Sequence, residues 1–269
     1  LGNFSFGDYF KEESIAWSWE YITEVLKLEK EKLYISVFET DDEAYKIWNE
    51  VIGIPKERLV RLGEADNWWA AGPVGSCGPC SEIYYDTGNS FGCPNPDTCM
   101  PGCDCDRFLE IWNLVFTEWN RMEDGTLVPL PEKNIDTGAG LERITSVVQN
   151  QKTNFDTDLF MPIMEKILDV LNIQRENHDV TVKIIADHIR AATFLIGDGV
   201  LPSNEGRGYI LRKLIRRAFG VGSRTQEKIF GKDDIFLYKF VGTVIKTMEN
   251  GYPELESKKE YIEKDVRLE

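Results

Sequence analysis

With 269 residues, 42% of them apolar and 29% charged, the chain is long enough for a substantial core in two modules and has the balance of an ordinary soluble globular protein. No apolar run reaches the roughly eighteen residues of a membrane helix and no secretory signal is seen, so neither a membrane span nor secretion is expected and a cytoplasmic setting fits. The excess of 46 acidic over 31 basic residues excludes nonspecific wrapping of nucleic acid by the whole surface.

The sequence opens on Leu1 rather than Met, and its last helical pattern stops in mid-turn at Glu269, so both ends read as cut and a piece of a longer protein is expected. Ile15, Trp19, Ile22 and Leu26 recur at helical spacing and predict an amphipathic helix. A strand follows at 33–38. Thr40 then stands as an N-cap ahead of Asp41, Asp42 and Glu43, and Ala44, Ile47, Trp48 and Val51 give a second helix that ends at Gly53. Strands are expected again at 58–61, 81–85 and 109–120. From about position 150 the pattern turns helical, over 159–171, 181–196, 206–219, 235–248 and a last element from Pro253. Two domains are therefore expected, 1–150 and 151–269. Neither a dinucleotide-binding glycine fingerprint nor a Walker-type loop is present, so any nucleotide site is of another kind.

The run NIDTGAGLERI at 134–144 places two glycines at the mouth of an apolar helix. Glycine lets a ligand approach the backbone, the helix N-terminus favours anions, and Arg143 one turn in offers a phosphate a planar fork of donors. Upstream, EIWNLVF at 110–116 is a strand rich in aromatic and β-branched residues that also carries a carboxylate and an amide, which suits a ligand-facing surface. Asn113 and Val115 lie two apart and share a face of a regular strand. Glu110 and Asn113 lie three apart and share one only if the strand bulges.

Six cysteines without a secretion signal read as thiols or metal ligands rather than disulfides. Cys93, Cys99, Cys103 and Cys105 offer the four thiolates of a tetrahedral zinc site, but their irregular spacing leaves structural Zn²⁺ and free thiols both open.

In this order the motifs resemble the landmarks of alanyl-tRNA synthetases: LGNFSFGDYFK at 1–11, DNWW at 66–69, CGPCSEI at 77–83, EIWN at 110–113, DTGAGLER at 136–143, ADHIR at 186–190, PSNEGRGY at 202–209 and LRKLIRRA at 211–218. The resemblance spans nearly the whole chain. It implies an α+β fold, a class II synthetase antiparallel sheet flanked by helices and incomplete at its N-terminus, followed by an all-helical module. It also implies an alanine–tRNA ligase, which uses ATP and Mg²⁺ to activate L-alanine as alanyl-adenylate and passes it to tRNA(Ala). On the matching positions, Gly138, Gly140 and Arg143 correspond to the third class II motif, with Arg143 on the γ-phosphate side of ATP. Asp136 corresponds to the anchor of the alanine ammonium group, a role that suits a buried or half-buried carboxylate. Trp69, Asn113 and Val115 would line the amino-acid pocket with Gly138, and Glu110 would be the Mg²⁺-binding acid. The first class II motif and the early half of the second would precede Leu1, so this stretch alone is expected to be inactive. WWAAGP at 68–73 departs from the family's usual form, in which larger and more polar residues follow the tryptophan. The family's editing site, built on histidines and cysteine in a later domain, is not expected here, where only His178 and His188 occur.

In the helical module, Arg207, Arg212, Lys213, Arg216, Arg217 and Arg224 form an acid-free basic run within 206–224. Arg212 with Arg216, and Lys213 with Arg217, make two stacks suited to the phosphates of the tRNA acceptor stem. Asn204 resembles the family position that inspects the acceptor-stem wobble pair from the minor groove. Asp187, His188 and Arg190 read as structural. The competing reading is a non-catalytic RNA-binding protein on the same scaffold, disfavoured because RNA binding alone has no need of Asp136, Gly138, Gly140 and Arg143. No DNA or membrane partner is expected.

Overall fold

In a computed structural model, which describes residues 1–88, 93–225 and 235–269, the chain divides into two units, Leu1–Gln151 and Lys152–Glu269. The first is built on a seven-stranded sheet, β1 (Phe4–Phe6), β2 (Leu33–Phe38), β3 (Leu59–Leu62), β4 (Trp68–Ala70), β5 (Gly75–Asp86), β6 (Phe108–Arg121) and β7 (Leu127–Gly138). The strand order is β1-β7-β6-β5-β2-β3, with β4 pairing β5. Every pairing is antiparallel except β2 with β3, which is parallel and qualifies the expectation of an antiparallel sheet.

Alternation along the strands separates two faces. On one, Leu33, Ile35, Val37, Ile83, Trp112, Leu114, Phe116 and Ile135 are buried in a cluster with Ile15, Ile22 and Trp48. Ile15 lies in α1 (Lys11–Glu20), which runs on as a π-helical turn through Tyr21–Val25 and so carries Ile22. Trp48 lies in the similar turn Ile47–Ile52 that extends α2 (Asp42–Lys46). Burying each large side chain is worth roughly 1.5–3 kcal/mol, so this face anchors the sheet and leaves the other to polar residues. Asp41, not Thr40, caps α2, its Oδ1 accepting from the Ala44 N–H at 3.0 Å. The same carboxylate is held by Lys11, whose Nζ lies 2.9 Å away and whose residue is only 3% exposed. Burial opposes the Lys11 charge, but Asp41, Glu118 and Glu43 outweigh it and raise the pKa above the ordinary lysine value.

Sequence patterning does not predict β7, because Pro129 and Pro131 cannot donate to a ladder and its residues are mostly polar. Both prolines lie outside 134–136, the stretch that β1 covers, so their half of the strand pairs only with β6. Two short helices complete the unit, α3 (Glu64–Asn67) and α4 (Leu141–Val148).

The second unit is helical, with α5 (Met161–Leu171), α6 (Arg175–Gly197), α7 (Gly206–Arg224), α8 (Val241–Met248) and α9 (Lys259–Leu268). Val182, Ile185, Ile189 and Ile196 form the buried stripe that spacing predicts. His188 is buried among them, with Nδ1 2.8 Å from the Asp187 carboxylate. α6 starts earlier than its pattern, at Arg175, and breaks at His178, where φ is −136°. Helix α8 is preceded by a 3-10 turn at Leu237–Phe240, and α9 by another at Pro253–Lys258. Among the described residues no helix is long and apolar enough to cross a membrane.

Candidate active site

The open face of the sheet gathers the polar residues. In the β5–β6 ladder Glu82 pairs with Asn113 and Ile83 with Trp112, but Tyr84 pairs with Glu110, so Ile111 is an extra residue on β6. That bulge reverses the alternation and turns Glu110 onto the face of Asn113. Opposite residues share a face, so Val115 and Asp136, and Asn113 and Gly138, join it from β6 and β7. The sequence requirement for a bulge between Glu110 and Asn113 is met.

Arg143, in the first turn of α4, donates from Nη1 to the Glu110 carboxylate at 2.6 Å and to its carbonyl at 3.0 Å. Its side chain remains 43% exposed, so the guanidinium has donors to spare. A Cβ on Gly138 or Gly140 would stand in open space, so nothing in the chain itself demands glycine there. Gly78 is different: its Cβ would lie 2.0 Å from the Phe116 carbonyl oxygen, so only glycine lets β5 approach β6 inside the CGPC run. Trp69, at 37% exposure, sits on β4 opposite Gly78, at the far end of this row. Asp136 is exposed, in contrast to the buried or half-buried position expected, because its row of β7 faces away from the core that buries Ile135 and Thr137.

Sequence analysis does not single out Glu82. It is 7% exposed and accepts from Asn113 Nδ2 at 2.9 Å and from the Tyr84 hydroxyl. Asn113 Oδ1 is buried without a hydrogen-bond partner among the described residues. Burial pushes the Glu82 carboxyl up to about 7, against the Tyr84 hydrogen bond that favours its charged form and with Glu110 reinforcing the rise. The neighbouring Cys80 thiol is pushed up to about 12, chiefly by burial, which makes it an inert thiol. The available signal for Glu82 is an acidic residue inside a strand otherwise rich in aromatic and β-branched residues, Ser81 to Tyr85.

A carboxyl whose pKa is higher folded than unfolded binds its proton preferentially in the folded state. Its stabilising contribution is therefore full below the unfolded value near 4.5 and is lost as pH rises through about 7. Urea unfolding of this chain is expected to lose on the order of 3 kcal/mol from this group between pH 5 and 8, and Glu82→Gln is expected to flatten that slope. All seven tryptophans lie in the first unit, so their fluorescence reports its unfolding selectively. Equal pH slopes in wild type and variant would count against the shifted carboxyl.

Four thiols outside this face also converge. The Sγ atoms of Cys93, Cys99, Cys103 and Cys105 all lie within 4.8 Å of one another, a donor set able to hold a metal ion.

In the second unit, the basic stacks of α7 differ in their partners. Arg216 Nε donates to Glu269 Oε1 at 2.6 Å and Arg212 Nε to Oε2 of the same carboxylate at 3.1 Å. Arg212 also donates to Asn204 Oδ1. Lys213 is exposed with its ammonium over the Tyr209 ring, and Arg207 and Arg217 are exposed with no ion pair among the described residues.

Comparison with known proteins agrees with the landmark order. The family described as tRNA synthetases class II (A) matches residues 1–269. The alanine–tRNA ligase of Fusobacterium nucleatum is 56% identical over 100% of this chain, which spans 31% of that relative. The ligase of Petrotoga mobilis is 54% identical over 99% of the chain and 30% of its own length, and that of Thermotoga maritima 54% over 95% and 29%. The chain thus spans less than a third of the curated relatives it matches. On the match across its whole length, the chain belongs to the class II (A) tRNA synthetases, the family of its alanine–tRNA ligase relatives.

Proposed function

We propose that the full-length protein is a cytoplasmic alanine–tRNA ligase. The carboxylate of L-alanine attacks the α-phosphorus of ATP, pyrophosphate leaves, and the resulting alanyl-adenylate gives its acyl group to the terminal ribose of tRNA(Ala). The observation that carries this reading is the bulge at Ile111, which sets Glu110, Asn113, Val115, Asp136 and Gly138 on one open face beside Arg143. Asp136 holds the alanine ammonium group, and Trp69, Asn113, Val115 and Gly138 wall its side chain. Gly138 and Gly140 leave the backbone open to ATP, and Arg143 meets the γ-phosphate side with its free donors. The Glu110 carboxylate and the partnerless Asn113 Oδ1 are hard oxygen donors that fit Mg²⁺. Bound there with the nucleotide, Mg²⁺ would neutralise phosphate charge; the chain's own contribution is to position the reactants and to place charged donors against them.

Alanine-dependent exchange of pyrophosphate into ATP by the full-length protein tests this. Exchange with L-alanine well above that with glycine or serine is the expected result. Tight tRNA binding without any amino-acid-dependent exchange would instead favour the RNA-binding descendant.

The first domain, 1–150, would then be the catalytic core and the second, 151–269, the acceptor-stem-binding module. Within it Arg207, Arg212, Lys213, Arg216 and Arg217 contact phosphates and Asn204 reads a base edge. The ion pairs of Arg212 and Arg216 with Glu269 leave Lys213 and Arg217 the readier phosphate ligands. Lys213→Ala and Arg217→Ala are expected to weaken all tRNAs alike and each to lower the salt slope of binding by about 1. Asn204→Ala is expected chiefly to lower the preference for the alanine identity pair, by roughly 1–3 kcal/mol. Filter binding across a salt series, with cognate and mispaired tRNA, separates the two; a uniform loss for Asn204→Ala would defeat the assignment.

A further inference from the structure

The loop between β5 and β6 brings together chemistry that the ligase reading does not use. Its four thiols come from irregular spacings, yet their sulfur atoms converge on one point, all within 4.8 Å of one another. Cys93 and Cys103 are 4.0 Å apart and Cys99 and Cys105 3.2 Å. Four sulfurs around one zinc at about 2.3 Å stand about 3.8 Å from each other, a value between these two separations, whereas a disulfide needs about 2.05 Å. Two independent disulfides would also give no reason for all four sulfurs to meet.

The loop is braced as a metal knuckle is braced. Arg107 closes its base by donating from Nε and Nη2 to both Asp86 carboxylate oxygens, at 2.8 and 2.7 Å, and from Nη1 to the Pro96 carbonyl at 2.9 Å. The Thr87 N–H and hydroxyl both donate to the Arg107 carbonyl, at 2.9 and 2.8 Å. Gly102 turns back at φ +91°, against Leu62 of β3.

We propose that Cys93, Cys99, Cys103 and Cys105 hold one zinc ion as a tetrathiolate, and that this knuckle positions Tyr84, and through it Glu82 and Asn113, on the site face. Binding releases the four thiol protons and leaves a complex of net charge −2, with the Arg107 guanidinium in the same loop. Zinc suits four soft thiolates in tetrahedral array and brings no redox chemistry to a structural post. The link to the site is physical contact: Cys93, Cys99, Phe108 and Tyr84 form one buried cluster, and the Tyr84 hydroxyl donates to the Glu82 carboxylate that accepts from Asn113. The zinc site stands by itself; its effect on Asn113 rests on the ligase reading.

Metal analysis of this chain, purified without chelator, is expected to find one equivalent of zinc. Cobalt(II) reconstitution is expected to give the intense sulfur-to-cobalt charge-transfer bands of a tetrathiolate. Cys99→Ser and Cys105→Ser are expected to lose the metal, and Cys77→Ser, which lies in β5, to keep it. Because a ligand variant can unfold, wild type is also stripped with a strong chelator while circular dichroism tracks the sheet. In the full-length protein, stripping is expected to raise the alanine KM roughly tenfold with a smaller change in kcat, the scale of losing an outer-shell support. Tyr84→Phe with zinc bound is expected to reproduce that rise. Zinc near zero, iron in its place, or four thiols that alkylate at once in the folded chain overturns the site. Full zinc loading with an alanine KM indifferent to stripping overturns the positioning role alone, and one equivalent of zinc in a protein without alanine-dependent exchange rejects the ligase reading while the zinc site stands.

Discussion

Arg143→Ala in the full-length protein is expected to lower kcat/KM for alanine activation by roughly 10²–10³, the cost of deleting one preorganised donor that meets developing charge. Arg143 makes two contacts with Glu110, to the carboxylate at 2.6 Å and the carbonyl at 3.0 Å, and neither exhausts a guanidinium with five N–H donors. Held from the β6 side, it is preorganised toward whatever enters above Gly138 and Gly140. Its removal acts twice: the phosphate loses its fork, and Glu110 loses the cation that offsets its repulsion with Glu82. Arg143→Lys is expected to restore little, since a point charge cannot bridge Glu110 and a phosphate in one plane. Steady-state exchange kinetics, with alanine and ATP each varied at saturating levels of the other, check this. A loss confined to the alanine KM, with ATP parameters intact, would place Arg143 away from the nucleotide.

Asp136→Asn is expected to raise the alanine KM by one to two decades while the ATP KM stays within about twofold. A charge-assisted hydrogen bond is worth roughly 1.5–3 kcal/mol, which converts to about that factor in affinity. The position makes the substitution clean. Asp136 lies opposite Val115 in the ladder and is exposed, so an isosteric amide disturbs neither the pairing nor the core beneath Ile135. Thermal unfolding is therefore expected to be nearly unchanged, which separates a lost ligand contact from a lost fold. An unaltered alanine KM would remove Asp136 from the pocket.

The two substitutions should couple differently to Glu82. Arg143 opposes the rise to about 7 that burial imposes on the Glu82 carboxyl, so Arg143→Ala is expected to raise it further. Asp136 sits two strands away from Glu82 across β6, and Asp136→Asn is expected to leave the Glu82 carboxyl nearly unchanged.

Much of this site is legible in the chain. The acid–amide spacing of Glu110 and Asn113, the DTGAGLER run and the basic stretch of α7 each state their chemistry in residue types, because helix and strand periods fix which neighbours share a face. The spacing of Glu110 and Asn113 even announces a bulge, since two residues three apart cannot otherwise cooperate on a sheet. The α6 stripe from Val182 to Ile196 is readable for the same local reason.

Other features needed the tertiary structure. β7 carries two prolines and polar residues, and is a strand only because β6 and β1 supply its pairing, an energy no local window contains. Glu82 is an ordinary acid in sequence and becomes a buried, proton-holding group only where Tyr84 and Asn113 close over it. Cys93, Cys99, Cys103 and Cys105 have irregular spacing, and their convergence is visible only in the folded loop, whose base the Arg107–Asp86 pair spans. Arg212 and Lys213 are adjacent basic residues, yet Glu269, 57 residues along the chain from Arg212, pairs with Arg212 while Lys213 lies over the Tyr209 ring. Residue types and short-range spacing made most of the helices and strands legible, β7 excepted, together with the family resemblance, since these depend on neighbours within a turn or a strand. The tertiary structure decided burial, charge state and partner, because those depend on which distant groups share a low-dielectric space.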